Sequence, residues 1–201
     1  MASDVSIANQ ALSFLGADPI ISLDDDQTEA KLVKANYAAI RLSLLEQHNW
    51  TFATAWADLN PLADPPVNQF SHAFPLPSTL LRVLFVGQDF EHPEGAWRKE
   101  GNNIVKDGDT CRIQYILDIT DPNNFSSLFV QAFAQRLAAD LAIPLTNSRS
   151  LMENHWQLYE AKMKQAVSRD QLQGKSRRIR SRWLENGRFN YGRGGVAGPT
   201  V

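Results

Sequence analysis

The sequence predicts a mainly α fold: a bundle of about four helices with a small antiparallel β insertion and an extended C-terminal arm. Apolar residues recur at helical spacing near the start of the chain and again between about residues 122 and 171. Between these regions lie a proline-rich stretch and short runs of β-branched and aromatic residues, which are typical of strands. After about residue 173 aliphatic residues are scarce, so we expect no further packed element there.

Two amphipathic helices are predicted at the start of the chain. The first spans residues 4–15, and Gly16 is placed to end it in a left-handed conformation. The second spans about residues 27–48. Asp26 followed by Glu29 has the spacing of a capping box at the start of this second helix.

The middle of the chain predicts extended structure. Residues 48–59 are expected to end the second helix and continue as a packed extended segment, and the five prolines in residues 60–80 exclude a long helix. Short strands are predicted within about residues 80–117, separated by Gly-Asn-Asn and Asp-Gly-Asp turns. Apolar and polar residues alternate from Cys111 to Leu117, and Cys111 itself is expected to be a small apolar core residue.

Two further helices are predicted after the insertion. The first follows Pro122 and is expected to stop at Pro144. The second has a capping-box pattern at Ser150 and Glu153 and should fade near Gln171. An apolar residue recurs every four positions in the earlier helix, at Phe125, Phe129, Phe133, Leu137 and Leu141. Apolar positions of the later helix are Leu151, Leu158, Met163 and Ala166.

Charge divides the chain into an acidic body and a basic end. From Gln171 onward there are seven basic residues and one acidic residue, which leaves 13 basic and 21 acidic residues before it. The body therefore carries a net charge of -8 and the end a net charge of +6. We assign residues 1–173 to a folded domain and residues 174–201 to a basic arm that is disordered alone.

The sequence contains no recognisable catalytic, metal or cofactor motif. The four histidines lack metal-ligand spacing, and HExxH, GxSxG and phosphate-loop patterns are missing. Residues 24–26, DDD, lack the spacing of an EF-hand and are expected to cap a helix instead. We therefore expect no enzyme activity and no cofactor. A secretory signal and a membrane span are not expected either, because no basic-then-apolar leader and no run of 18 apolar residues occurs.

Four stretches, taken in order, carry a wider resemblance. They are ANQALSFLGADPIISLDDDQTEAKLVKANYAAIRLSLLEQHNWTFAT, FPLPSTLLRVLFV, WRKEGNNIV and IQYILDITDPNNFSSLFVQAFAQRLAADLAIPLT. Together they resemble the head-to-tail adaptor proteins of phages, the tail tubular protein A family of short-tailed phages and its relatives. The resemblance covers about residues 7–170. Thr79 stands where the family often has Asp, and the residues from about 174 match no family pattern.

The resemblance implies a role in the virion. In this family, helical bundles with a β insertion form a dodecameric ring beneath the portal of a filled capsid. The ring extends the DNA channel and provides the attachment site for the next tail or nozzle protein, while its C-terminal arms dock on the portal. The implied location is the head–tail junction, with the host cytoplasm as the site of assembly. DNA would pass through the bore without specific binding, and no membrane is involved.

The basic arm has three competing interpretations: a solvated end without a role, a DNA-binding segment, and a protein-docking arm. We favour docking on the portal, because Trp, Tyr and Arg dominate interface hot spots and a DNA-holding protein would more naturally carry its positive charge on the folded body. The predicted docking residues are Arg177, Arg178, Arg180, Arg182, Trp183, Phe189 and Tyr191.

Two turns of the insertion are predicted to contact a neighbouring copy or the next tail ring. Their residues are Glu100, Gly101, Asn102 and Asn103 in the first turn and Lys106, Asp107, Gly108 and Asp109 in the second. Two other function classes stay open: a tail-associated cell-wall hydrolase that uses two carboxylates, and a nucleic-acid-binding protein that uses the basic end.

Overall fold

A computed structural model describes residues 2–67, 69–87 and 95–173. In chain order the elements are α1 (Asp4–Leu15), α2 (Thr28–Gln47), β1 (Thr54–Leu59), β2 (His72–Pro75), β3 (Leu80–Val86), β4 (Trp97–Glu100), β5 (Asn103–Lys106), β6 (Cys111–Leu117), α3 (Ser127–Thr146) and α4 (Arg149–Gln171). Short 3-10 turns at Thr51–Ala53 and Pro122–Asn124 join the helical and sheet regions.

The described part of the chain is an α+β fold, so the prediction of a mainly helical bundle with a small β insertion was wrong. Helix accounts for 49% and strand for 20% of the structure, with two three-stranded antiparallel sheets. The strands begin at Thr54, well before the predicted insertion of residues 80–117. Sequence reasoning predicted an extended segment within residues 48–59, where β1 lies, but did not place it in a sheet, and it missed β2; both are edge strands. An edge strand tolerates exposed polar residues and a terminal proline such as Pro75, which weakens its strand pattern.

The two sheets and the helices form three layers. Sheet 1 has the strand order β1-β6-β3, and sheet 2 has the order β2-β5-β4. On one face of β6, Ile116 packs in the helical core. On the other face, Ile113 and Tyr115 pack with Phe74 and Ile104 of sheet 2, and Cys111 is buried among them as predicted. Sheet 1 is therefore the middle layer, and its central strand is covered on both faces.

The helical core is built around α3, on which α1, α2 and α4 all pack. The predicted stripe from Phe125 to Leu141 is buried along its length, which confirms the face of α3 that lies inward. Phe129 lies at the centre of an aromatic cluster, with ring centroids 5.1 Å from Trp50 and 4.9 Å from Phe125. The indole nitrogen of Trp50 donates to the Leu44 carbonyl over 2.9 Å, so this buried polar atom is satisfied.

The two N-terminal helices begin and end close to the predicted positions. α1 ends as expected at Gly16, whose φ of 68° requires the left-handed conformation that glycine adopts without strain. The predicted capping box at the start of α2 was wrong, because Gln27 holds the cap position without a side-chain hydrogen bond. Asp26 instead pairs with Lys31 over 3.1 Å at the surface.

The two C-terminal helices differ from the prediction at all their ends except the end of α4. Pro144 does not stop α3, which continues to Thr146 before Asn147 turns left-handed with φ 50°. A proline in the last turn removes only one internal hydrogen bond, so the helix tolerates it. The cap of α4 is Ser148, whose hydroxyl accepts from the Leu151 amide, rather than Ser150. The end of α4 at Gln171 confirms the prediction.

A partly buried ion pair joins α2 to the segment that follows β6. The guanidinium of Arg41 lies 2.9 Å from one carboxylate oxygen of Asp118 and 3.2 Å from the other. Removing one partner of such a pair leaves a charge in a poorly solvated place, which is destabilising. The contact therefore fixes the end of sheet 1 to the helical layer.

Phe129→Ala should lower the free energy of unfolding by about 3–5 kcal/mol, because it leaves a void inside the aromatic cluster. Urea unfolding followed by circular dichroism measures the change. Leu158→Ala is the matched control, since Leu158 is 41% exposed although it was predicted on the apolar face of α4. The control should change stability by about 0.5 kcal/mol or less. Equal losses from the two variants would contradict the assignment of Phe129 to the core.

Candidate docking surfaces

The predicted docking residues from Arg177 to Tyr191 lie outside the residues that the structure describes. The structure does describe the helix that leads to them. α4 ends at Gln171, and the described chain ends at Gln173. The surface around the end of α4 is therefore the part of the folded body nearest in sequence to the predicted arm.

The end of α4 is held to the body by the carboxylate of Asp170. Its side chain accepts from the Thr51 backbone amide over 3.1 Å and from the Thr51 hydroxyl over 2.7 Å. His48 adds a ring nitrogen 3.3 Å from the same carboxylate. Asp170 is only 4% exposed, so these contacts replace the water that the carboxylate loses. The last turn of α4 is thereby fixed to the segment that joins α2 to β1.

A groove runs beside this last turn, between the start of α3 and the end of α4. We name it the α3–α4 groove, and its lining residues are Leu128, Lys164, Gln165, Ser168, Arg169 and Leu172. Leu172 is 73% exposed, and Lys164 and Arg169 are exposed as well. Asp170 borders the groove, but its carboxylate is buried against Thr51. The groove thus presents positive charge beside apolar side chains.

The first predicted contact turn is exposed at its tip. Gly101 and Asn102 are exposed, and Gly101 has φ 56°, a left-handed conformation that most residues adopt only with strain. Glu100 and Asn103 are half-buried and pair across the hairpin of β4 and β5. The Asn102 carbonyl accepts from the Leu76 amide over 2.9 Å, so the turn is tied to the segment after β2.

The second predicted contact turn is exposed at Asp107, Gly108 and Asp109, whereas Lys106 is buried. The Lys106 ammonium donates to the Thr110 carbonyl over 2.5 Å and lies 5.9 Å from the Phe74 ring centroid. The Lys106 ammonium is buried by these contacts, so the exposed charges of this turn are the carboxylates of Asp107 and Asp109. Sequence spacing alone could not distinguish the inward side chain of Lys106 from its outward neighbours.

Asp107 ties this turn to the segment before β2. Its carboxylate accepts from the Ser71 hydroxyl over 2.8 Å and from the Ser71 amide over 3.0 Å. These hydrogen bonds favour the ionised form and hold the pKa of Asp107 below its usual value of 3.8.

Sequence reasoning missed a polar and aromatic patch on sheet 1. Trp56 and Phe85 meet edge to face with ring centroids 6.3 Å apart. Beside Trp56, Arg112 binds Asp58 through two hydrogen bonds of 2.5 and 2.8 Å, and this contact lowers the pKa of the Asp58 carboxyl. The register pairs Asp58 directly with Arg112 across the two strands. The signal in the sequence was the alternation in β1, which was not recognised as a strand.

One cleft that holds two carboxylates does not have the electrostatics of a glycosidase site. Asp58 and Asp109 line one shallow cleft beside Arg112. A general acid needs a raised pKa, whereas Arg112 lowers the pKa of Asp58. Within the described ranges no group of three or more His, Cys, Asp or Glu side chains is arranged to hold a metal ion.

The three aspartates at 24–26 each have a local role other than the helix capping expected of them. Asp24 pairs with Lys34 over 2.6 Å, and Asp25 accepts from the Ile21 and Ser22 amides. Asp26 pairs with Lys31. The cluster therefore organises the loop before α2.

Among the helices of the described segments, α3 alone is long and apolar enough to cross a membrane by length and composition. In the fold it is the central helix, with Phe129, Phe133 and Leu137 fully buried against its neighbours. Packing in the core accounts for its apolar composition.

No protein-family model and no curated protein matches the chain.

Asp170→Ala should lower the free energy of unfolding by about 2–3 kcal/mol, because the Thr51 amide and hydroxyl lose their buried acceptor. It should also speed amide hydrogen exchange in the last turn of α4. Asp140→Ala is the control, since Asp140 pairs with Arg136 at a more exposed site and should cost about 1 kcal/mol or less. Unchanged exchange at residues 167–173 would show that Asp170 does not fix the end of α4.

Ser71→Ala should destabilise the protein at neutral pH and have little effect in strong acid. The pKa of Asp107 is lowered on folding, so its stabilising contribution is present above the unfolded value near 3.8 and is lost as pH falls through the lower folded value. Urea midpoints of wild type and variant between about pH 7 and pH 2 measure the difference. Ser13→Ala, which removes a hydroxyl bonded to the Gln10 carbonyl, should show a pH-independent difference. A Ser71→Ala effect that persists at the acid limit would contradict the linkage.

Proposed function

We propose that this protein is a structural virion protein without enzyme activity or cofactor: a ring-forming head-to-tail adaptor of a short-tailed phage. It would dock under the portal, extend the DNA channel and provide the attachment site for the next tail protein. The proposal rests on the ordered resemblance over about residues 7–170. One structural observation supports it: Asp170 fixes the end of α4 to the body just before the basic, aromatic-rich segment.

A fixed starting point matters for a docking arm in a ring. Every copy would present its arm in the same direction, so the arms could engage equivalent sites on a portal ring. Linked binding events raise the effective concentration of each further one, so modest individual affinities give a stable assembly. A segment that orders on binding can cover a large surface from a short sequence.

The chemistry of the arm suits a protein partner that carries carboxylates. Arg177, Arg178, Arg180 and Arg182 would bind them through the planar guanidinium fork, which makes two parallel hydrogen bonds. Apolar pockets on the partner would receive the large aromatic side chains of Trp183, Phe189 and Tyr191, which would anchor the arm. The acidic body, with a net charge of -8 before residue 171, would let DNA slide through the bore without adhering.

The central test compares the oligomeric state with and without portal by mass photometry. We expect mostly monomers in the isolated protein at low concentration and rings on the portal. Stable closed rings without portal that survive deletion of the arm would contradict arm-guided assembly on the portal. Lysis of cell walls in a zymogram would support the hydrolase instead, and a salt-dependent mobility shift with DNA would support the nucleic-acid-binding protein.

A chain that ends at Gln173 should keep the helical content of the full-length body and lose portal binding. The body buries its core within the described residues, so the truncation removes only the arm. Circular dichroism measures helicity, and surface plasmon resonance on immobilised portal measures binding. Trp183→Ala alone should weaken binding by about 2 kcal/mol or more if Trp183 is a hot spot. Unchanged affinity of the truncated chain would rule out the docking arm.

Changing the four arginines at 177, 178, 180 and 182 to lysine provides the matched control for charge. Phosphate neutralisation needs positive charge alone, so DNA binding would largely survive the change. Two-point binding of carboxylates needs the guanidinium fork, so portal binding should fall. Equal portal affinities for the arginine and lysine forms would contradict carboxylate pairing.

Replacing Gly101-Asn102-Asn103 with a longer Gly/Ser loop should leave the monomer folded and weaken assembly with a neighbour or the next tail ring. The turn lies at an exposed hairpin tip, where insertions cost little stability. Thermal unfolding checks the fold, and negative-stain microscopy of complexes with portal and tail protein gives the assembly yield. A normal yield would count against a contact at this turn.

A further inference from the structure

Most positive charges in the body are satisfied locally. Among the lysines and arginines that precede residue 171, all in described segments, nearly every one has a hydrogen-bond or ion-pair partner. The exceptions among these described side chains are Lys99, Lys164 and Arg169. Lys164 and Arg169 line the same α3–α4 groove. In a body with an excess of carboxylates, two cations without a carboxylate partner lie side by side in this groove. The groove therefore suits a negatively charged group from another molecule.

The groove combines this charge with apolar surface. Leu172 is 73% exposed and Leu128 is half-buried along the groove. The segment after Gln173 is itself basic and would be repelled by Lys164 and Arg169. A DNA backbone supplies phosphates but no apolar side chain to cover the leucines. The lining therefore suits a protein segment that carries both carboxylates and an exposed aliphatic side chain.

This chain contains such a segment in the loop between α1 and α2. We name residues 17–27 the acidic loop; its sequence is ADPIISLDDDQ. Ile21 is 89% exposed, which is unusual for an isoleucine, and Asp18, Asp24 and Asp26 are exposed around it. The ion pairs of Asp24 and Asp26 are at the surface, where such contacts contribute little and can exchange partners.

The acidic loop has a defined conformation. The side-chain amide of Asn9 donates to the Ile20 carbonyl over 2.9 Å and its oxygen accepts from the Ile20 amide over 2.8 Å. Asp25 accepts from the Ile21 amide over 2.9 Å. Ile20 is buried while Ile21 is exposed, so the backbone presents the Ile21 side chain outward. A preformed loop loses less conformational freedom on binding than a mobile one.

We propose that the α3–α4 groove of one copy binds the acidic loop of a second copy. Ile21 would pack between Leu128 and Leu172, and the carboxylates of Asp18 and Asp26 would face Lys164 and Arg169. The inference rests on the proposed function, because it names the contact between neighbouring copies in the ring.

The two surfaces belong to different parts of the fold. The loop is held by Asn9 of α1 and Lys34 of α2, whereas the groove lies between α3 and α4. The hydrogen bonds and ion pairs of the loop run to α1, to α2 and within the loop itself. A contact between two different surfaces is heterologous, so repeating it gives a head-to-tail series that closes into a ring when the rotation permits.

The test is a charge exchange read by sedimentation velocity of the full-length protein at high micromolar concentration, without portal. The loop variant carries Asp18→Lys and Asp26→Lys, and the groove variant carries Lys164→Glu and Arg169→Glu. Each variant alone should associate about tenfold or more weakly than wild type, because like charges then face one another. An equal mixture should recover association, since every groove then has an oppositely charged loop available. The Ile21→Ser variant should associate more weakly than wild type, and its association should depend on salt as that of wild type does.

The control reverses charge elsewhere by the same amount. Arg82→Glu with Arg149→Glu changes one exposed arginine on β3 and one at the start of α4, and this variant should associate as wild type does. The proposal is overturned if wild-type protein stays monomeric at this concentration or if the groove variant associates normally. It is also overturned if the control loses association or if the mixture does not recover it. The groove would instead be a nucleic-acid site if the groove variant no longer shifts DNA in a mobility assay and association does not recover in the mixture.

The adaptor function and the groove-and-loop contact can be rejected independently of each other. Full-length protein that does not bind portal rejects the adaptor function and leaves the charge-exchange result standing. Absence of recovery in the mixture rejects the groove-and-loop contact even when portal binding is intact.

Discussion

The position of strand β6 between the helices and sheet 2 is the constraint on which the rest of this fold depends. As the central strand of sheet 1, β6 places Ile116 among the helices and Ile113 against sheet 2. The helical layer and sheet 2 make few direct contacts with each other, so sheet 1 sets the position of one relative to the other. The Arg41–Asp118 pair then fixes the end of this sheet to α2. A turn carried on sheet 2 is consequently held in a defined place relative to the helices, which a docking surface requires.

The end of α4 concentrates the features that bear on assembly. Asp170 uses its buried carboxylate to hold the last turn, so it does not neutralise the cations beside it. Lys164 and Arg169 consequently keep their charge exposed at the edge of the groove. Asp170 thus fixes the end of α4, while Lys164 and Arg169 in the same last two turns supply surface charge.

The sequence predicted the extents of the helices well, because a period near four residues in a stripe such as Phe125 to Leu141 is a strong local signal. It predicted caps poorly: Ser148 and Ser150 both suit the start of α4, and only packing chooses between them. It predicted β1 only as an extended segment and missed β2, because edge strands need no continuous apolar pattern, and the fold class was wrong as a result.

The candidate surfaces were predictable only in part. Gly101 and Gly108 marked turns correctly, since both have positive φ. Burial of Lys106 and the unpaired state of Lys164 depend on neighbours distant in sequence, which no local pattern encodes. The arm residues from Arg177 to Tyr191 lie outside the described residues, so their docking role stays a prediction.

The single cysteine of the chain has a practical consequence. Cys111 is 2% exposed in the core between the sheets, and thiol reagents act on accessible thiolates. A cysteine introduced on the surface of this protein would therefore react with a fluorescent maleimide far faster than the native one. Dyes can thus be attached at introduced cysteines while Cys111 is left in place, and a pair of such positions gives single-molecule distances.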